Sequence, residues 1–278
     1  MSTPSSAILN VHKEPGWTSH DVVAKVRRLA GQKRVGHAGT LDPLAEGVLP
    51  VLLGRATRLA ETIQAGEKRY QAWVKLGVAT TTDDAEGQIV ARQPVPPLTH
   101  VEGILGQFAG TIAQVPPAYS AIKVNGQRAY AVARRGDTPE LAARQVTISE
   151  LRLLEHADDC LVLEVACSKG TYMRALARDI AQALGTVGHL ARLVRTQVGP
   201  FRLDDAVRLP LIRLLPPEAA LPDAPVYRSP AAEAARLCNG QAVPFELAAP
   251  TIRVHDPSGR LICIGSSDGQ LLRPRIVL

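Results

Sequence analysis

Residues 47–54, GVLPVLLG, hold neither a charged nor a polar side chain. The run is far short of the roughly 20 apolar residues of a membrane-spanning helix, and its length and β-branched content suit a strand. A buried strand interrupted at Pro50 is predicted, because proline removes a ladder donor. Its surroundings narrow the class. ILNVHK (8–13) reads as a short strand, and RYQAWVKLG (69–77) alternates well enough to be another. Val22, Val23, Val26, Leu29 and Ala30 recur at helical spacing between them, with Ser19 as the expected cap and Gly31 where a terminating glycine belongs. Periodicity therefore indicates mixed α and β structure.

Further along, LVLEVACSKGTYMRALARDIAQALG (161–185) predicts a strand, a tight loop and a helix. Leu176, Ile180 and Leu184 share one helical face, Gly185 stops the helix, and the SKGT turn leaves free backbone N–H groups at its start. A second helix is expected over LTHVEGILGQF (98–108), capped by Thr99, and VPPAYSAIKVNG (115–126) carries too many turn signals for regular structure. Residues 124–146, with Arg128, Arg134, Arg135 and Arg144 around a Gly-Asp-Thr-Pro break, read as a basic excursion from the main fold. Residues 216–225 hold four prolines and are expected to be a linker. Beyond them, the turn signals DPSG and SSDG between short apolar runs predict a small β-rich module.

The net charge of +6 favours an acidic partner, and nucleic acid is the commonest one for such a chain. It is equally compatible with a merely basic enzyme. Residues 1–222 carry +5 of it and residues 223–278 carry +1, so the argument rests on the larger part. The four cysteines are scattered, without Cys-x-x-Cys pairs or zinc-ligand spacing, which argues against a disulfide framework and a structural metal. With no long apolar run and no secretory signal pattern at the start, a cytoplasmic location and no membrane contact are expected.

Residues 35–48, VGHAGTLDPLAEGV, are the candidate for chemistry. Asp42 before Pro43 also suits the start of a short helix. What singles it out is the company: Gly36, Gly39 and Gly47 permit positive φ and close backbone approach, and His37 and Thr40 add polar contacts. Glu46 is a poor partner for an acid/base pair, since it is expected to point away, so Asp42 acts alone as nucleophile or electrostatic stabiliser. A lone carboxylate in a partly apolar pocket stays ionised only beside a cation. No local residue fits, so that cation must come from elsewhere in the chain.

HKEPGWTSHDVVAKVRRL and GHAGTLDPLAEGVLPVLLGRATRL, followed in order by EKRYQAWVKLG, PPAYSAIKVNGQRAY, CSKGTYMRALARDI and GHLARLVRTQVGPF, resemble the TruB family of tRNA pseudouridine synthases over roughly residues 8–203. The resemblance implies an α+β fold, with a mixed, largely antiparallel central sheet flanked by helices. It also implies a catalytic domain over 1–222 with a thumb-like insertion at 124–146, and a PUA-like RNA-binding module over 223–278. By the same resemblance Asp42 is the catalytic carboxylate, Tyr70 stacks on the target base and assists removal of the C5 proton, and Arg174 forms the ion pair that keeps Asp42 charged. His37 helps hold the everted nucleotide, Leu193 lines the base pocket, and Lys13, Thr40 and Tyr172 complete the substrate-binding set. Glu14 stands where the family has proline, and Ala38 and Glu46 also depart from its pattern.

The implied substrate is the uridine at position 55 in the T loop of tRNA, bound as a stem-loop by a monomer that needs no protein partner, metal or cofactor. A tRNA-binding chaperone acting without catalysis is the binding-class alternative. A glycosidase pairing Asp42 with a second acid is another, and it would release free base.

Overall fold

A computed structural model describes residues 6–120, 122–124, 126–133, 135–137 and 139–278. The first half of the chain runs β1 (Ser6–Lys13), α1 (Ser19–Leu29), β2 (Val35–His37), β3 (Glu46–Gly54), α2 (Ala60–Ala65), β4 (Lys68–Leu76), β5 (Val78–Thr80), β6 (Ile89–Arg92) and α3 (Val101–Leu105). It continues through β7 (Gly110–Gln114), β8 (Lys123–Val124), β9 (Gln127–Arg128), α4 (Ala129–Ala133), β10 (Arg144–Ala157), β11 (Cys160–Cys167), α5 (Met173–Ala183), β12 (Gly188–Val198) and β13 (Phe201–Arg202). The last part holds β14 (Val226–Arg228), α6 (Ala231–Cys238), β15 (Val243–Pro244), β16 (Ala248–His255), β17 (Leu261–Asp268) and β18 (Leu271–Val277).

The central sheet has the order β1-β3-β12-β4-β11-β10-β7, with β2 added to β3 and β13 to β12. All its pairings are antiparallel except β12 with β3. Alternation does the sorting: along β4, Lys68, Tyr70, Ala72, Val74 and Leu76 turn inward, while Arg69, Gln71, Trp73 and Lys75 stay half-exposed. On the inward face α1 and α5 bury Val22, Val23 and Val26, and Leu176 and Ile180. Each such side chain contributes about 1.5–3 kcal/mol of burial.

Several local expectations change. Thr18, not Ser19, caps α1, and with Asp21 it completes a capping box. Gly31 does end that helix, at φ +59°. β3 is not interrupted at Pro50. The Pro50 carbonyl accepts from Ala38 N at 2.9 Å, so the proline nitrogen faces that same edge and the ladder to β1 loses no donor. Asp42 and Pro43 start a turn rather than a helix, closed by Ala45 N on the Asp42 carbonyl at 3.1 Å. The expected helix over 98–108 is shorter: α3 begins after His100 with no side-chain cap, Thr99 lies outside it, and a 3₁₀ turn covers Gly106–Phe108.

Residues 216–225 are not a free linker. Pro217–Ala220 form a 3₁₀ turn, and Ala220 is buried beside Ile8 and Leu59. Within 124–146, the described residues comprise the β8–β9 hairpin and α4, and Arg144–Val146 already belong to β10. The C-terminal module is a five-stranded sheet of order β14-β16-β17-β18-β15 with its own core under α6. The DPSG signal falls on the turn between β16 and β17, where Gly259 N donates to the Asp256 carbonyl at 2.9 Å, whereas Ser266–Asp268 of SSDG belong to β17 and the chain turns at Gly269 and Gln270. It sits against the larger sheet through Leu261, Ile264 and Ile276, and Arg55 donates to the Leu278 carbonyl at 2.9 Å.

Candidate active site

The segment carrying Asp42 is held by four residues. Ser19 Oγ accepts from Leu41 N at 2.8 Å and lies 3.1 Å from the Leu41 carbonyl, to which it donates. Gly16 N and Lys13 Nζ both donate to the Pro43 carbonyl, at 2.8 and 3.3 Å. The Arg195 guanidinium donates to the Gly39 carbonyl at 3.0 Å, to Thr40 at 3.2 Å and to Val48 on β3 at 2.8 Å. Gly39 and Gly47 adopt φ of +99° and +110°, so the expected left-handed positions are two, and Gly36 lies instead within β2.

Arg174 arrives on the first turn of α5. Its Nη2 lies 3.0 Å from Asp42 Oδ2 and its Nη1 lies 3.5 Å from Asp84 Oδ2. The same guanidinium donates to the Thr82 and Tyr119 carbonyls at 3.1 and 3.0 Å. Its side chain is 8% exposed, that of Asp84 5%, and that of Asp42 44%. The buried cation is thus matched by a buried carboxylate, and Asp42 is the partner left open to a substrate. Gln114, at the end of β7, holds the helix entrance. Its amide oxygen accepts from Tyr172 N at 2.8 Å and its amide nitrogen donates to the Tyr172 carbonyl at 3.2 Å.

Asp42, Thr40, Tyr70, Tyr172, Arg174 and Leu193 line one cavity of about 280 Å³. Leu190, Tyr119 and Ser120 contribute further walls. Tyr70 stands opposite Arg195 in the β4–β12 register, and Leu193 opposite Ala72. Burial pushes the Tyr70 phenol above its ordinary pKa, although the adjacent Arg195 opposes that shift. Burial also raises Tyr172, against the charges of Arg144 and Arg174. Both are neutral hydrogen-bond donors near neutral pH.

Lys13 and His37 do not line this cavity. Lys13 is buried beneath the Asp42 segment, donating also to the Glu14 and Trp17 carbonyls, and burial lowers its pKa to about 8. Burial, helped by the charge of Arg195, lowers His37 as well, so its ring is neutral. Glu46 turns to Arg192 at 2.6 Å and His12 at 3.6 Å, away from Asp42. Among the described residues no cluster of three His, Cys, Asp or Glu could hold a metal ion.

Sequence reasoning missed Arg195, Asp84 and Gln114. For Arg195 a signal existed: it lies two residues after Leu193 on the same strand, hence on the same face. Asp84 and Gln114 carry no such sign, because TTTDDAEG reads as an ordinary surface turn and Gln114 as the end of a strand.

The fold is that of the pseudouridine synthases: the structure superposes on that of a Cbf5-Nop10-Gar1 complex with a TM-score of 0.74 and 25% identity, over 98% of this chain and 84% of that one. An archaeal box H/ACA sRNP Nop10-Cbf5 complex gives a TM-score of 0.71 at 23% identity, with coverage of 98% and 85%.

The chain belongs to the TruB family of pseudouridine synthases. Residues 27–173 match the model of the TruB family pseudouridylate synthase N-terminal domain, and residues 174–214 that of the tRNA pseudouridylate synthase B C-terminal domain. Its relatives include tRNA pseudouridine synthase B of Acaryochloris marina, 44% identical over 97% of this chain and 98% of the relative. The same-named enzyme of Thermobifida fusca is 43% identical, over 98% of both. No helix among the described residues is long and apolar enough to cross a membrane.

Proposed function

We propose that this enzyme converts a T-loop uridine of tRNA, the one at position 55, to pseudouridine, with Asp42 as its catalytic carboxylate. The observation that carries the reading is the Asp42–Arg174 pair of 3.0 Å, half open to a cavity that Tyr70 and Leu193 complete. Its relatives, named as tRNA enzymes across nearly the whole chain, support the choice of RNA.

The cavity cannot reach a base inside a stacked helix, so the target nucleotide has to swing out, at a cost of a few kcal/mol offset by contacts with the rest of the RNA. Loops are where that cost is smallest. Tyr70 then offers an aromatic face for the uracil and Leu193 an apolar wall. Breaking N1–C1′ and making C5–C1′ conserves mass: the proton lost from C5 is balanced by the one gained at N1. Asp42 acts on the ribose or the base, by adding to C1′, by taking a 2′ proton to give a glycal, or by adding to C6. A phenol raised by burial is protonated at rest, which favours the stacking role of Tyr70 over that of a standing base. The arginine-rich stretch 124–146 and the module at 223–278 are read as the surfaces that grip the stem-loop.

Tritium release from C5-labelled uridine in tRNA transcripts tests the reading. Wild type is expected to release label from the T loop and to leave the mass of unlabelled transcript unchanged, and Asp42→Asn to bind the same RNA and release none. Turnover by Asp42→Asn, or label retained by wild type as a binding-only chaperone would leave it, overturns the proposal.

A further inference from the structure

Among the described residues Arg195 is the largest fully buried side chain, 1% exposed, and it is a cation. Among the described residues no carboxylate lies within ion-pair distance of it. Its charge is solvated by three backbone carbonyls drawn from two segments: Gly39 and Thr40, just ahead of Leu41 and Asp42, and Val48 near the start of β3. Across the strand pair it faces Tyr70, whose phenol it approaches. An interior cation without a bound carboxylate is costly, and an apolar residue of similar volume would fill the space at less cost. Core packing therefore does not account for a guanidinium there.

The arrangement does account for it as a geometric link. One planar fork reaches the segment that carries the proposed catalytic carboxylate and the ring that the proposal stacks on uracil, while its Nε is tied to the Val48 carbonyl on β3. A lysine retains the charge but has no planar fork able to span Val48, Gly39 and Thr40 together. We infer that Arg195 is a positioning residue for the isomerisation, setting the Asp42 carboxylate relative to the Tyr70 ring without touching substrate. The inference rests on the roles given above to Asp42 and Tyr70. Burial is the chief cause that lowers the pKa of Lys13, His37 and Lys68, and the neighbouring charge of Arg195 adds to it in each case.

The test compares Arg195→Lys and Arg195→Met with wild type on T-loop transcripts. For Arg195→Lys the single-turnover rate of the folded enzyme should fall roughly 100-fold, the size of effect that follows about 1 Å of misplacement, with RNA affinity kept within about 3-fold. In Arg195→Met, ultraviolet difference spectra taken against the matching Tyr70→Phe proteins should show Tyr70 ionising at higher pH than in wild type. If the methionine variant does not fold, the lysine variant supplies this readout too, with a changed Tyr70 midpoint expected.

A purely structural Arg195 would lower the unfolding midpoint yet leave the rate of the folded fraction and the phenol titration unmoved, and that result overturns the inference. So does a rate loss matched by an equal loss of RNA affinity. Asp42→Asn is assayed in parallel. Turnover by that variant would defeat the functional reading, while the Tyr70 titration would still report whether Arg195 acts on the phenol.

Discussion

Gly47 and Arg195 meet backbone to backbone where β3 and β12 run parallel: a Cβ on Gly47 would lie 2.8 Å from Arg195 N and closer still to its carbonyl oxygen. With φ at +110°, the position also rejects side chains on conformational grounds. Gly47→Ala should destabilise the fold by about 3 kcal/mol or more, from strain and overpacking together. Because the neighbour that must move is the strand carrying Leu193 and Arg195, turnover at a temperature where the variant is folded should fall as well. Urea unfolding and a single-turnover assay check both parts.

Thr18 and Ser19 are adjacent hydroxyls with separate tasks. Thr18→Ala removes half of the capping box of α1 and should cost about 1 kcal/mol, with turnover unchanged. Ser19→Ala strands a buried N–H and carbonyl of Leu41, next to Asp42, and should cost about 2 kcal/mol together with a loss of turnover. Equal activity losses in the two variants would contradict this division.

Arg174 and Asp84 form the closed side of the site. Arg174→Met leaves the Asp84 carboxylate buried without its cation and should destabilise by about 3 kcal/mol. Adding Asp84→Leu removes the orphaned charge, so the double variant should recover part of that loss while remaining inactive. Equilibrium unfolding of both single variants and the double variant measures the coupling, and strict additivity would show that the pair is not energetically linked.

What the amino-acid order reveals here is whatever repeats locally. Alternation in 69–77 is enough to define β4, and the spacing of Val22, Val23 and Val26 is enough for α1. Asp42 stands out because glycines, a proline and polar groups crowd it, and its demand for a distant cation follows from desolvation alone. Arg174, 132 positions further along the chain, is legible as that cation only through the family resemblance. Ser19 and Pro50 depart from the sequence expectation for a common reason. Whether a hydroxyl caps its own helix or grips Leu41, and whether a proline nitrogen faces a partner strand or an edge, depends on neighbours that only the folded sheet supplies. The packed 3₁₀ turn at 217–220 was hidden in the same way: its prolines suggest a linker, and the apolar surface that receives Ala220 lies on β1 and the turn holding Leu59.

Lys13 gives a pH signature with a definite sign. Its folded pKa is about 8 against an ordinary 10.5, chiefly because burial disfavours the ammonium. Below pH 8 the amine is protonated in both states, and the fold carries the full cost of the buried charge. Between about 8 and 10.5 the unfolded chain binds more proton than the folded one, so this group adds stability as pH rises through that window. Lys13→Met lacks the titration and also the donations to the Glu14, Trp17 and Pro43 carbonyls. The stability gap between wild type and Lys13→Met should therefore widen in favour of wild type by about 2 kcal/mol from roughly pH 7.5 to roughly pH 9.5. Paired urea titrations at the two pH values cancel the ionisations common to both proteins, and a gap that stays constant or narrows would show that Lys13 is not the depressed amine its position implies.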